Sequence, residues 1–526
     1  MTSILKYLNR ALLVLLLAAF AACSDNEGGN ESNGNGDDGN TETPADGDTY
    51  GYIKDTNGNP VEGVVVSDGY SCTATDAEGR YALTRNADAG FVFYSLPSAY
   101  KVSVDKTYKL PRFFARLQAG TARYDFTLEA LAAPEKRFDL ICIGDPQINE
   151  ASHAVRFKEE AGREIREYAA SAGVPCYGIT LGDHVNNKWT LFTNMVVALQ
   201  PEQTGVPVFA TIGNHDHEFP TADEKAARAK YESYFGPVDY SFNRGDVHVV
   251  SMDNVIHSCK ASADYEGGFT AAQYAWLKQD LSFVPKDKMV ILCVHIPFRG
   301  GWGTNSAHAD ADKYYDEVLD LLSQYKYATI MSAHTHSNIN YIHRKNGKEI
   351  FEHVTGTTCG AWWRSTVCTE GTPIGFGLYR IDGNRMEEWA YRSVRHDEQF
   401  QIRLYRASDT FVGGAKYRFK QTGADQIVAN IWNWDPSWTV NVYENDVLSG
   451  QMTRNSDIDA WTVAYHIGLL NNTDSYRKSS DHMFHYTLKN PAAAVRVEAI
   501  DRFGNKYEQT VFTDPDSHPG IYHLDY

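Results

Sequence analysis

The chain has 526 residues, too many for one ordinary hydrophobic core, so roughly two to four domains are expected. Hydrophobic residues make up 43% and charged residues 22%, which excludes a wholly disordered polypeptide. Acidic residues outnumber basic ones, 67 to 49, for a formal charge of −18. This argues against a nucleic-acid polymer as the main partner, since a phosphate backbone is met with basic surface. A small phosphate ester stays open, because bound cations can supply local positive charge.

The chain opens on a targeting pattern. Lys6 and Arg10 precede the apolar run Ala11 to Ala22, which is too short to span a bilayer but right for the core of a signal peptide. The run ends Phe20-Ala21-Ala22-Cys23, which resembles a bacterial lipobox. That resemblance implies loss of residues 1–22 and a lipid anchor at Cys23, placing the protein in the cell envelope at the outer membrane. The alternative is an ordinary signal peptide cut near Ala22. Residues 23–48 follow as an acidic linker without a basic or aromatic residue, unable to bury apolar surface. Its start, Ser24-Asp25-Asn26-Glu27, resembles the export signal of surface lipoproteins.

Residues 49–131 read as a small β-sandwich. Short runs such as Val64-Val65-Val66 and Phe91-Val92-Phe93-Tyr94 alternate with turn signals at Asn57-Gly58, Asp68-Gly69 and Glu78-Gly79. The stretch resembles carboxypeptidase-regulatory-type modules, and without a cluster of reactive residues it reads as a spacer.

Residues 132–395 change character. Strands are expected at Phe138–Ile143, Tyr177–Leu181, Val206–Ile212, Val247–Met252, Met289–Val294 and Ala328–Ser332. Between the first two, Val155, Phe157, Ala161, Ile165 and Tyr168 recur at helical spacing, predicting a helix over 151–172. Strand–helix alternation argues an α/β domain. Polar residues gather at the carboxyl ends of the strands: Asp145 and Gln147, then Asp183, then Asn214-His215-Asp216, then His295, then His334 and His336. Sites in open α/β sheets form just there. Carboxylate, amide and imidazole donors without a thiol suit Mn, Zn, Fe or Mg.

The order and spacing of these five motifs resemble the calcineurin-like metallophosphoesterase family over residues 138 to about 340, in a secreted branch with flanking β-domains. The resemblance implies a two-sheet sandwich flanked by helices, with two divalent metal ions. Asp183 would bridge them, Asp145, Gln147 and His336 would complete one site, and Asn214, His295 and His334 the other. It also implies hydrolysis of a phosphomonoester or phosphodiester by a metal-bound hydroxide. His215 would face the phosphate and protonate the leaving oxygen, with Asp216 orienting its imidazole. Two positions depart from the family pattern: Gln147 stands where histidine is usual, and Ala333 where glycine is usual. The neutral Gln147 suits a shifted metal preference. It also leaves a rival reading, a catalytically weak or inactive lipid-anchored protein that captures phosphorylated or glycan ligands.

His184, His217, His257 and His308 read as satisfied or surface histidines, with His217 the best exception. Arg299, Trp302, Trp362 and Trp363 are candidate substrate contacts, set against an ordinary packing or salt-bridging role. Cys359 and Cys368 could close a loop if oxidised, and the remaining cysteines lack metal-site spacing. Residues 396–526 read as a C-terminal β-domain. Strands are expected at Lys416–Lys420, Ile427–Trp432, Thr439–Tyr443 and Val495–Ala499, and Trp432, Trp434 and Trp438 are read as core, with a glycan-binding module as the alternative.

Overall fold

The computed structural model describes residues 47–299, 313–473 and 476–518. The signal segment, Cys23, most of the linker, Trp302 and His308 lie outside the described residues. Among the described residues no helix is long and apolar enough to cross a membrane.

The centre of the fold is a pair of sheets. In the first, Arg137–Ile143 (β1), Cys176–Leu181 (β2) and Val208–Thr211 (β3) run parallel, and Gly375–Asp382 (β10) pairs antiparallel on the other side of β1, followed by Arg385–Ser393 (β11); the order is β3-β2-β1-β10-β11. The second holds Tyr240–Arg244 (β4), Val247–Ser251 (β5), Met289–Cys293 (β6), Tyr327–Ser332 (β7), Ile339–Lys345 (β8) and Lys348–Val354 (β9) in the order β4-β5-β6-β7-β9-β8, with β5, β6, β7 and β9 parallel.

Alternation along the strands decides what each face meets. In β1, Phe138, Leu140 and Cys142 join a core shared with Val249, Ile291 and Leu292 of the second sheet. Ile141 and Ile143 point the other way, into a core with Phe157, Ile165, Phe192 and Met195 from the covering helices. A period of two with both faces apolar is the signature of a strand covered on both sides. The expected helix is present over 151–171 as one run, interrupted by a π-turn at Lys158–Gly162. Two later helices start on side-chain caps: Asp223 accepts from the Ala226 amide, and Thr270 with Gln273 forms a reciprocal capping box.

The flanking segments are β-rich. At the N-terminal side, a three-stranded sheet (Arg80–Leu83, Thr49–Asp55, Phe126–Leu128) accompanies a four-stranded one (Cys72–Ala74, Val65–Ser67, Phe91–Tyr94, Phe114–Arg116). At the C-terminal side two four-stranded sheets contain Gln426–Asn430, Thr439–Glu444 and Val495–Ile500, as expected. Trp432 and Trp438 are buried, and Trp434 packs against the core that holds Trp438. The expected strand Lys416–Lys420 does not form; a 3₁₀ turn at Gly414–Lys416 occupies its start, and Tyr417 and Phe419 bury their rings in a local cluster instead of a ladder. Cys359 and Cys368 are both free thiols, so no bridge closes their loop.

Two buried histidines tie stability to pH. Burial pushes His353 and His466 down to about 3. Their folded pKa lies below the unfolded value of about 6.5, so the stability each contributes is complete above that pH and is lost as pH falls toward 3. His466 accepts or donates one bond to Ser365 Oγ at 2.8 Å. Thermal melts of His466→Gln should therefore fall less steeply between pH 6.5 and 4 than those of the wild type; parallel curves would contradict this.

Candidate metal centre

Five strands of the two sheets lead into turns that carry polar side chains to one place. Asp145 and Gln147 follow β1, Asp183 follows β2, Asn214 begins a 3₁₀ turn after β3, His295 follows β6, and His334 and His336 follow β7. Five of these seven residues hold left-handed backbone: Asp145 (φ 35°), Gln147 (36°), Asp183 (53°), His334 (64°) and His336 (55°). Such conformations cost of order 1 kcal/mol each outside glycine and cluster where a site needs them. Two glycines make room. Gly182 has φ 94°, and a Cβ there would stand 2.4 Å from His295 Nδ1; a Cβ on Gly213 would stand 2.2 Å from the Asp183 amide nitrogen. Ala333, by contrast, is not among the left-handed residues, and its methyl is fully buried.

The seven side chains converge. The Asp183 carboxylate lies between two groups, with Oδ1 3.4 Å from His295 Nε2 and Oδ2 3.3 Å from Gln147 Nε2. On the first side, His295 Nε2 is 2.9 Å from Asn214 Oδ1 and 3.1 Å from His334 Nδ1. The donor atoms of Asp183, His295 and His334 all lie within 4.8 Å of one another. On the second side, His336 Nε2 is 3.6 Å from Asp145 Oδ1, and the His334 amide donates to Asp145 Oδ2 at 3.0 Å.

The centre couples buried charges and leaves two buried acceptors without a partner. Burial alone would lower the pKa of His295, but the Asp183 carboxylate outweighs it and carries the imidazole up to about 9. The same contacts with His295, His215 and His334 hold Asp183 well below the usual carboxylate range against its burial. Asp145 is pushed well above its ordinary value, chiefly by burial. His295 Nδ1 sits 2.7 Å from the Leu181 carbonyl, which can only accept, so Nδ1 carries hydrogen and Nε2 faces the oxygens. Asp145 Oδ1 and Gln147 Oε1 are buried without a hydrogen-bond partner. Buried acceptors of this kind are costly unless something positive meets them. These donors therefore fit divalent cations of the oxygen- and nitrogen-preferring kind. Cys359 Sγ lies 3.9 Å from His336 Nδ1 and 3.6 Å from Thr357 Oγ1, and burial pushes its thiol up.

His215 stands at the rim, partly exposed, with its amide donating to Asp183 Oδ1 at 2.9 Å and its Nε2 4.0 Å from Asp183 Oδ2. Its Nδ1 meets Asn187 Oδ1 at 2.8 Å, and Asn187 Nδ2 donates to Ser262 Oγ at 2.9 Å. The expected partner, Asp216, is elsewhere. Its carboxylate accepts from the amides of His184, Val185 and Gly213 and meets His184 Nδ1 at 2.9 Å. The 3₁₀ turn folds Asp216 back onto Gly213 and away from the imidazole of His215, so it ties two turns together and orients nothing catalytic. Asn187 was missed because nothing in Val185-Asn186-Asn187 distinguishes one asparagine from the next.

The remaining candidates separate. Trp362 lies beside the centre, its ring centroid 4.7 Å from that of His336. Trp363 does not wall a substrate: it is buried, donates to the Pro146 carbonyl at 2.9 Å and stacks on His153. A tryptophan pinned on both faces and at its N–H belongs to the core. Arg299 is exposed and lies over the Tyr341 ring, at the seam with the C-terminal sheets. His217 is buried between the Gly213 carbonyl and Asp253, and His184 between Thr180 and Asp216, so both are structural. His257 packs parallel to the His217 ring, with its Nδ1 accepting from the Cys259 amide.

Comparison with known proteins meets this geometry. The calcineurin-like phosphoesterase profile matches residues 124–338, and the profiles for the N terminal and C terminal of calcineurin-like phosphoesterase match 48–131 and 352–507. The chain belongs to the calcineurin-like phosphoesterases. Among relatives, it is 26% identical over 181 residues to purple acid phosphatase 23 of Arabidopsis thaliana, covering 31% of this chain and 36% of that one. Purple acid phosphatase 18 of the same plant is 25% identical over 182 residues, covering 32% and 38%. The match thus spans little more than a third of either relative. Among solved structures, a putative 5'-nucleotidase from Staphylococcus aureus aligns at 12% identity and TM-score 0.31, covering 50% of this chain and 55% of that one. A 5'-nucleotidase from Candida albicans aligns at 13% and 0.31, covering 50% and 52%.

The contacts of Asn187 and Asp216 predict opposite phenotypes. Asn187→Ala should lower turnover by roughly tenfold or more with little change in melting temperature. Asp216→Ala should strand several buried donors and lower the melting temperature clearly. Turnover and thermal melts of both variants check this, and the reverse pattern would return Asp216 to the orienting role.

Proposed function

We propose that this calcineurin-like phosphoesterase is a metal-dependent hydrolase of small phosphomonoesters or phosphodiesters, working outside the cytoplasm on a lipid tether at Cys23. The observation that carries the catalytic part is the placement of the Asp183 carboxylate, one oxygen toward Asn214, His295 and His334 and the other toward Gln147, beside Asp145 and His336. Two divalent cations held there would activate water and neutralise charge on phosphoryl oxygens.

The protein's own groups do the rest. Asp145, Gln147, Asp183, Asn214 and the three histidines would hold the cations through turns whose backbone is already committed, so little reorganisation would accompany the reaction. His215 presents Nε2 at the rim while Asn187 holds Nδ1–H, the orientation required to deliver a proton to a departing oxygen. No side chain is needed as a nucleophile, so no phosphorylated enzyme forms. The tether is supported by the Ala11–Ala22 apolar run, the small residues before Cys23 and the acidic linker behind it.

The test uses the purified protein with Mn, Zn, Fe or Mg and a panel of aryl phosphate mono- and diesters. Asp183→Asn should lose about 10³-fold or more of wild-type turnover. Equal, unmeasurable rates for both proteins under every metal would leave only the ligand-capture reading. His215→Ala should lose roughly 10²–10⁴-fold on alkyl esters with poor leaving groups and much less on 4-nitrophenyl esters, whose leaving oxygen needs no proton. Equal losses on both would contradict the proton-delivery role.

A further inference from the structure

A second cavity, of about 310 Å³, opens at the seam between β8 and the C-terminal sheets. Arg299, Asn338, Tyr341, Trp434, Arg454 and Asp481 line it. The chain keeps its lining near the metal-centre turns, since Arg299 lies four residues beyond His295 and Asn338 two beyond His336. Four extended residues reach at most ~14 Å. The seam is held by hydrogen bonds: Asn338 Nδ2 donates to the Trp432 carbonyl at 2.9 Å, and Asn340 Nδ2 to the Asn433 carbonyl at 2.9 Å. The cavity is therefore preformed by two packed domains.

Its charge runs against that of the molecule. The chain carries −18, yet the guanidinium groups of Arg299 and Arg454 line this cavity, with Asp481 as the single carboxylate in the lining. Arg299 lies 5.6 Å from the Tyr341 ring centroid and Arg454 4.6 Å from that of Trp434. Arg454 also donates to the Asp481 carbonyl at 3.0 Å. Among the described residues neither guanidinium has a carboxylate at ion-pair distance. A third arginine, Arg344, is already paired with Glu349 at 2.8 Å. Stacking on an aromatic face holds a guanidinium plane and leaves N–H edges to bind an anion bidentately.

We propose that this cleft binds a second anionic group, a phosphate or its equivalent, carried by the ester whose other phosphate lies at the metal centre. The proposal rests on the phosphoesterase reading and narrows its substrate class to compounds with two separated anions, such as nucleoside or sugar bisphosphates. Arg299 and Arg454 are specificity residues in this scheme, and Tyr341 and Trp434 position them.

Two measurements test it. The first is titration calorimetry of the full protein with inorganic pyrophosphate in EDTA, so that the cleft is read without cations at the metal centre. Saturable binding that weakens about tenfold or more in both Arg299→Ala and Arg454→Ala is expected, with partial recovery in Arg454→Lys. Absence of binding, or binding unchanged in the variants, overturns the proposal. The second compares KM for adenosine 3',5'-bisphosphate with KM for 4-nitrophenyl phosphate. The ratio should shift about tenfold or more in each alanine variant, and a ratio that stays put overturns the proposal. Should the wild type hydrolyse neither ester with any metal, the phosphoesterase reading fails, while the calorimetric result still decides whether the cleft takes an anion.

Discussion

The site is organised by one buried carboxylate. Asp183 is fully enclosed, lies between two sets of donors, and is held ionised by the imidazoles around it. A buried charge of this kind is expensive, and it persists only where opposite charge and hydrogen bonds repay the desolvation. The two sheets deliver that compensation. Strands β1, β2 and β3 of one sheet and β6 and β7 of the other end at the same edge, so turns from both meet over Asp183. Gly182 and Gly213 matter because they let the Asp183 turn, the Asn214 turn and the His295 ring approach to distances no side chain would allow.

The polar framework around this centre is deeper than the ligand set. Asp216 joins the Asp183 and Asn214 turns through amides, Asn254 Oδ1 accepts from the amides of His295 and Ile296, and His217 links the Gly213 carbonyl to Asp253. These residues do not face a substrate. They hold the turns that point the ligands inward, the left-handed Asp183 turn among them, which is how local strain is sustained by surrounding structure.

Much of this was legible in the amino-acid order, for a physical reason. A strand covered on both faces must be apolar and short, so Phe138–Ile143 and Met289–Val294 announced themselves, and the first polar residue after each fell at a sheet edge. What failed to show was anything set by long-range approach. Asn187 and Asp216 each lie within a few residues of His215 or Asp183, and only the folding of the 3₁₀ turn decides which one meets the imidazole. Trp362 and Trp363 are neighbours in sequence, yet one faces His336 and the other is pinned beneath Pro146. Lys416–Lys420 carries strand-like alternation, but its aromatic rings found a better-packed local cluster than a ladder position. The seam cleft depends on residues from separate sheets, far apart in sequence, and has no motif at all.

The account stands on seven donors presenting themselves to two cations across Asp183. Anomalous diffraction from crystals grown with Mn addresses this directly. The account predicts two peaks, one bounded by Asp145, Gln147, Asp183 and His336 and the other by Asp183, Asn214, His295 and His334. A single peak, or none at full Mn loading, would contradict it.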